Sequence, residues 1–302
     1  MTPPGHDLPD WAAPLEYGRS VIIENLPAEQ YHGARALVSK SALDVFARSP
    51  AHYLHYLGTG INEDEEEEKA KKTPEALLIG SAFHSLVLEP DVFAREYVRL
   101  PDFGSMQSSK NRALRDGWLA ERPGIIGLKA DQWRTIHGMR ESVLRNKRIR
   151  RILETGRPER TVAAIDPHTG LPRKARLDWD SELEGIALDL KSALDGRWDR
   201  WKLEAGRRRY HVQDAYYTDT CELAGLNLPV MGFGVVEKTP PYVSALYTLG
   251  PKARAAGEIM FRRELDGIAE CCDSGEFPGY GNGDAMELEL PGYFVADAET
   301  VP

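Results

Sequence analysis

The stretch Arg173–Ala193, RKARLDWDSELEGIALDLKSA, constrains the fold more than any other part of the chain. Its first half alternates with a period of two. A strand here would carry Ala175, Leu177 and Trp179 on one face and Lys174, Arg176 and Asp178 on the other. A second strand, GIALDLKS, follows a polar segment from Asp180 to Gly185 that ends in glycine, as a hairpin connection does. The two strands are therefore expected to lie antiparallel and adjacent. In the second, Asp189 and Lys191 are two residues apart, hence on one face and about 7 Å apart along the strand, while Leu188 and Leu190 point into an apolar layer. Asp178 and Asp189 can then meet, so two carboxylates and an ammonium share one patch.

Such a patch suits metal-assisted phosphodiester hydrolysis. Carboxylate oxygens are hard ligands for Mg²⁺ or Mn²⁺, and a lysine beside them can orient water or stabilise charge developing on phosphate. A solvated hairpin with a surface ion pair would leave the same Asp-Leu-Lys triplet, so the rest of the chain has to discriminate.

With 302 residues, 42% hydrophobic and 28% charged, the chain can bury a full core. A net charge of −9 argues against a protein that coats DNA non-specifically but leaves room for a local basic channel. No apolar run approaches the roughly 18 residues of a membrane span, and MTPPGHDLPDW lacks the basic and apolar regions of an export signal. Cys221, Cys271 and Cys272 form no CxxC pair that would anchor zinc or an iron–sulfur cluster, so a cytoplasmic protein is expected.

Residues 1–30, proline-rich at their start, are expected to form an irregular arm. In SKSALDVF, Ser41 with Asp44 three residues on reads as a helix start, and Ser49-Pro50 as the cap and first residue of the next helix. The run NEDEEEEKAKK, residues 62–72, has no apolar spacing and reads as a mobile loop. Thr73 and Pro74 open a helix closed by Pro90. On it Gly80 and His84 share a face, where glycine would let a neighbouring backbone approach. Residues 129–155 are helical, with Ile136, Met139 and Val143 and then Ile149, Ile152 and Leu153 as buried stripes. Glu159 follows, placed either to add a third carboxylate to the site or to pair with arginine. After the hairpin, DGRWDRWKLEAGRRRYHVQ interleaves basic residues with Trp198, Trp201 and Tyr210, a mixture suited to DNA backbone and base-face contacts. A helix from about Arg208 to Ala224 puts Gln213 and Tyr217 on one face. Strands LPVMGFGVVEK and YVSALYTL and a last helix from near Pro251, burying Phe261, Leu265, Ile268 and Cys272, complete the pattern.

The order of these parts resembles a known family. GSAFH, Gly80 to His84, matches a GxxxH element; Asp178 with Asp189-Leu190-Lys191 matches the core of the PD-(D/E)xK nucleases; Gln213 to Tyr217 matches the QxxxY element after it. The flanks SKSALDVFARSPAHY, LVLEPDVF and GEFPGY are similar to the RecE-type exonuclease VIII domain, over roughly residues 31–294, leaving 295–302 as a tail. The resemblance implies an α/β fold with a central mixed sheet flanked by helices. It also implies a Mg²⁺-dependent 5′ to 3′ exonuclease on double-stranded DNA ends, which leaves 3′ single strands for phage-type recombination. A ring-shaped homo-oligomer and a RecT-type annealing partner belong to the same picture. Carried over by position, Asp178 and Asp189 would bind metal with the Leu190 carbonyl, His84 would be a further ligand or another residue of the site, and Lys191 would activate water. Glu159 would be the acidic residue just before the hairpin, and Gln213 and Tyr217 would face the DNA end. Arg207, Arg208 and Arg209, just before that helix, are expected near the DNA path. Relatives with an iron–sulfur cluster need four cysteines, which places this chain with the cluster-free branch. An endonuclease of the same fold and a catalytically silent DNA-binding module remain alternatives.

Overall fold

The computed structural model describes residues 2–290. The chain enters through a 3-10 helical turn, Asp10–Tyr17, and strand β1 (Val21–Glu24). Helices α1 (Ala28–Gly33), α2 (Lys40–Arg48), α3 (Pro50–Thr59), α4 (Glu63–Lys71), α5 (Pro74–Leu88) and α6 (Pro90–Glu96) follow. Strand β2 (Tyr97–Arg99), helix α7 (Ser109–Ala120) and strand β3 (Ile126–Leu128) form a small parallel annex. Helices α8 (Ala130–Arg145) and α9 (Lys147–Glu154) lead into β4 (Arg157–Ile165), β5 (Pro172–Ser181) and β6 (Ile186–Ala193). The chain then crosses through α10 (Trp198–Arg207) and α11 (Tyr210–Leu223) to β7 (Val230–Glu237), β8 (Ser244–Thr248) and α12 (Pro251–Ser274).

The main sheet has six strands in the order β1-β4-β5-β6-β7-β8. Only β6 and β7 are parallel, because the two-helix crossover returns the chain in the same direction; the other pairs are antiparallel. Ile186, Leu188 and Leu190 of β6 bury one face against Phe83 and Leu86 of α5 and Ile136, Met139, Val143, Ile149 and Ile152 of α8 and α9. On the opposite side Val212 and Tyr216 of α11 pack with Phe261, Leu265 and Ile268 of α12 and with Leu43 and Tyr53 of α2 and α3. The result is the mixed sheet between helical layers that the sequence led us to expect. Thr73 and Ser49 cap their helices through their side chains, each with proline at the first turn.

Several expectations need correction. Residues 1–30 are not an irregular arm: Ala12 and Leu15 are buried, and β1 joins the sheet by pairing with β4. The cap of α2 is Ser39, which accepts from Ala42 N–H at 3.3 Å, rather than Ser41. Residues 62–72 are not a loop but α4. Asn62 caps it, its first turn is acidic and its last turn carries lysines, which complements the helix dipole. Lys69–Glu66 and Lys71–Glu67 pairs at 2.8 and 3.0 Å add support along it. Gly80 is not a tight contact, since a Cβ there would meet only Ser192 Oγ at 3.8 Å. In α12 Cys271 is the buried cysteine and Cys272 only half-buried. The 295–302 tail lies outside the described residues.

The hairpin also departs from simple alternation. Leu177 packs with Val162, Ala187 and Cys221, but Trp179 turns to the other face, beside Leu188, and donates its indole N–H to Ile152 O at 3.1 Å. Asp180 then rejoins the Leu177 face, paired with Ala187 in register and with Arg160 at 2.9 Å. The alternation slips by one residue at Asp178. Opposite it, Glu159 takes a left-handed backbone, φ 52°, and the β4–β5 ladder omits the Glu159–Asp178 pair.

Candidate active site

Beyond Trp179 and Leu188 the β5–β6 ladder ends and the strands part. In the gap Leu190 N–H, which would otherwise seek a carbonyl on β5, donates to Asp178 Oδ2 at 3.2 Å. The same oxygen lies 3.0 Å from His84 Nε2. His84 is aimed here by α5, whose Phe83 and Leu86 are locked in the core on either side of it. Across the gap Asp189 and Lys191 share one face of β6, with Asp189 Oδ2 2.6 Å from Lys191 Nζ. Asp189 Oδ1 accepts from Gln213 Nε2 at 3.1 Å. Gln213, buried on α11, thus orients a carboxylate rather than reaching outward. Three elements remote in sequence, α5, the hairpin and α11, meet at this gap.

Electrostatics follow from that crowding. Burial alone would push Asp178 up, but His84, Lys191 and the Leu190 N–H outweigh it and hold the carboxyl down at about 2. Burial raises Asp189; Lys191 opposes this without cancelling it, and Asp178 adds to the rise. Burial disfavours a charged His84, yet Asp178 keeps the imidazole above its usual range. Burial likewise works against a charged Lys191, and Asp189, Tyr210 and Asp178 more than compensate, so the ammonium is held firmly charged.

A cleft of about 220 Å³ opens beside Asp178. Glu159 and Tyr217 line it, with Lys174 and Arg176 from β5, His32, and Ser39, Lys40 and Ser41 from the start of α2. Of the two roles expected of Glu159 the structure shows the pairing with arginine: it accepts from Arg176 Nε at 2.5 Å, and it lines the cleft that holds Asp178. Burial raises its pKa against the pull of Arg176. Burial, reinforced by Tyr31, Asp189 and Asp178, keeps the Tyr217 phenol protonated far above its ordinary range. Lys174 and Arg176 were legible as sharing a face with Asp178, yet only the cleft makes them site residues. Lys40 is held at the rim by Asp44 and by Arg208 O at 3.0 Å.

The three arginines before α11 do not act together. Arg209 is turned inward: its left-handed backbone, φ 54°, joins α10 to α11, and its guanidinium binds Asp44 at 2.8 Å and Glu264. Arg208 pairs with Glu204. Arg207, exposed at the end of α10, alone keeps an outward position. The aromatic residues of this stretch divide similarly, Trp201 and Tyr210 being core.

Among the described residues no three His, Cys, Asp or Glu side chains form a ready metal cage. The pair Asp178 and Asp189 still fits a Mg²⁺-type ion. Such ions take one or two carboxylates and keep the remaining positions for water and phosphate, and Asp189 Oδ2 is buried with no hydrogen-bond partner beyond its ion pair to Lys191.

A sheet that splits around two carboxylates and a lysine, served by a histidine and a glutamine from flanking helices, defines a PD-(D/E)xK nuclease-like domain. Residues 39–289 match the family described as a PDDEXK-like domain of unknown function (DUF3799), and the chain belongs to that family. The crystal structure of a Eubacterium rectale protein provisionally named an exonuclease is similar over 92% of this chain and 100% of that one. Its TM-score is 0.51 and its identity 15%, which establishes a common fold. No protein of curated function matches the chain.

Proposed function

We propose that this protein is a metal-dependent deoxyribonuclease acting on double-stranded DNA ends. The observation that carries this reading is the convergence of Asp178, Asp189 and Lys191 where β5 and β6 part, with a polar cleft beside them. Bound by Asp178 and Asp189, Mg²⁺, or Mn²⁺ in its place, would supply positive charge beside the scissile phosphate and make water more acidic. Lys191 would stabilise the anionic phosphate and position the attacking water. His84 holds Asp178 in orientation, and Gln213 does the same for Asp189. Tyr217, Arg176 and Ser41 would grip phosphates of the strand lying in the cleft. The exonuclease name carried by the Eubacterium rectale protein agrees with action at ends. The resemblance to RecE-type exonucleases supports 5′ to 3′ polarity, a ring of subunits and an annealing partner.

The test is digestion of linear duplex labelled at either 5′ or 3′ ends, beside covalently closed circles, with and without Mg²⁺. Release of the 5′ label from linear DNA only, and only with metal, is expected. Cutting of closed circles at a comparable rate would instead identify an endonuclease. Failure to cut either substrate would leave a DNA-binding module.

A further inference from the structure

Past Lys191, β6 continues for two residues and then leaves the sheet, and at this point the surface changes character. Leu194 is 82% exposed, and Trp198, the first residue of α10, is 66% exposed. The helix has an apolar face of its own, which it buries: Trp201 and Ala205 pack with Tyr210 and Phe233. Trp198 stands one turn before Trp201 on the same stripe, where that packing has ended, so its ring stays exposed, and Lys202 Nζ sits 4.4 Å from its ring centroid. The buried face connects α10 rigidly to the site, since Trp201 packs on Tyr210 at 5.8 Å and Lys191 Nζ lies 5.5 Å from the Tyr210 ring. Leu194 follows Lys191 by three residues, roughly 10 Å of strand rise, which puts Leu194 and the start of α10 just past the carboxyl end of β6, within a few nucleotides' reach of Asp178 and Asp189.

We propose that Trp198, with Leu194 and Lys202, is a stacking platform for unpaired nucleotides of the strand engaged at the site. This rests on the nuclease reading above. Charge complementarity selects the occupant: from Arg197 to Arg209 the chain carries five arginines, of which Arg209 alone is turned inward, with Lys202 and only two acidic side chains, although the whole chain has a net charge of −9. Asp195 orients Arg197 at 2.8 Å, and Asp199 lies 4.0 Å from Arg200. A lysine over the tryptophan is poorly suited to the centre of a protein–protein contact, where lysine is depleted, but well suited to a base flanked by phosphates. Duplex DNA presents backbone and groove edges, so an exposed aromatic face favours unpaired bases.

The full-length chain is tested for binding of a labelled oligothymidylate and of a blunt duplex of equal length, with Ca²⁺ in place of Mg²⁺ to prevent turnover. Trp198→Ala should weaken oligothymidylate binding about 10-fold, with Trp198→Phe restoring most of it and duplex affinity nearly unchanged. Melting temperature should not move, because the side chain is exposed. Equal losses on both ligands, or no loss on either, would overturn the platform. So would Trp198→Ala splitting an oligomer in light scattering, which would assign the patch to a second copy. Trp198-dependent binding without any cleavage would retain the platform and reject the nuclease; cleavage with unaltered Trp198→Ala binding would do the reverse.

Discussion

Strand β5 carries two charged clusters a few residues apart, and they are built on opposite plans. At its start Arg173 is fully buried, and the strong charges around it are matched. Its guanidinium bonds Asp166 at 2.9 Å, Asp219 at 2.5 Å, Tyr216 O at 3.1 Å and Thr220 Oγ1 at 2.7 Å, and it lies 4.6 Å from the Tyr216 ring centroid. Arg262 of α12 closes the circuit onto the same two aspartates, at 2.5 and 2.8 Å. Toward the other end, Asp178 and Asp189 sit beside an open cleft, and their counter-charges are an imidazole and one lysine. The closed circuit fastens β5 to α11 and α12. The open one leaves coordination and space for a ligand. Helix α11 serves both, with Tyr216 and Thr220 at the first and Gln213 and Tyr217 at the second. Each cluster keeps a buried polar atom without a hydrogen-bond partner, Arg173 Nε in the first and Asp189 Oδ2 in the second, but only the second is a metal-ligating oxygen beside open space.

The contrast can be broken most directly at Asp189. Asp189→Asn should reduce nuclease turnover by at least about 10²-fold while melting temperature stays near that of the parent. An active Asp189→Asn protein would remove the open cluster from catalysis. Arg173→Met should behave in the opposite sense. Leaving Asp166 and Asp219 with Arg262 as their one remaining cation should cost about 3–5 kcal/mol of stability in urea titrations, while turnover per folded molecule is kept. A loss below about 1 kcal/mol, the level of a surface pair, would mean that the closed circuit holds little together. Gln213→Ala sharpens the comparison at the shared helix. Calorimetric Mn²⁺ titration should show affinity reduced by about 10–100-fold, with the α11–α12 packing intact by circular dichroism; unchanged affinity would make Gln213 a packing residue.

The smallest effect concerns acid. Burial would raise Asp166, but the Thr169 N–H, Arg262 and Arg173 hold it down at about 2 against an ordinary 3.8. A carboxyl with a depressed folded-state pKa lends stability that is fully present above the unfolded value. That stability, on the order of 2 kcal/mol, should drain away as pH falls from about 4 to about 2. Arg262→Met should flatten this limb of the stability–pH curve, and an unaltered limb would show that other carboxyls govern acid unfolding.

The sequence alone determined the hairpin with Asp189 and Lys191 on one face, the caps at Ser49 and Thr73, and the motif spacing that set His84, Asp178 and Gln213 in order. These features rest on interactions within a few residues, where period, capping and turn chemistry decide the outcome. Tertiary structure decided the rest. His84 and Asp178 are 94 residues apart, and only the packing of α5 against β6 brings them into contact. Arg209 looked like a DNA contact until Asp44 and Glu264, from two other helices, claimed it. The opening residues looked irregular because β1 is too short to show a pattern, and it becomes a strand only when β4 offers its edge. The slip at Asp178 depends on a left-handed Glu159 on the neighbouring strand, an effect of pairing that no periodicity within β5 could reveal.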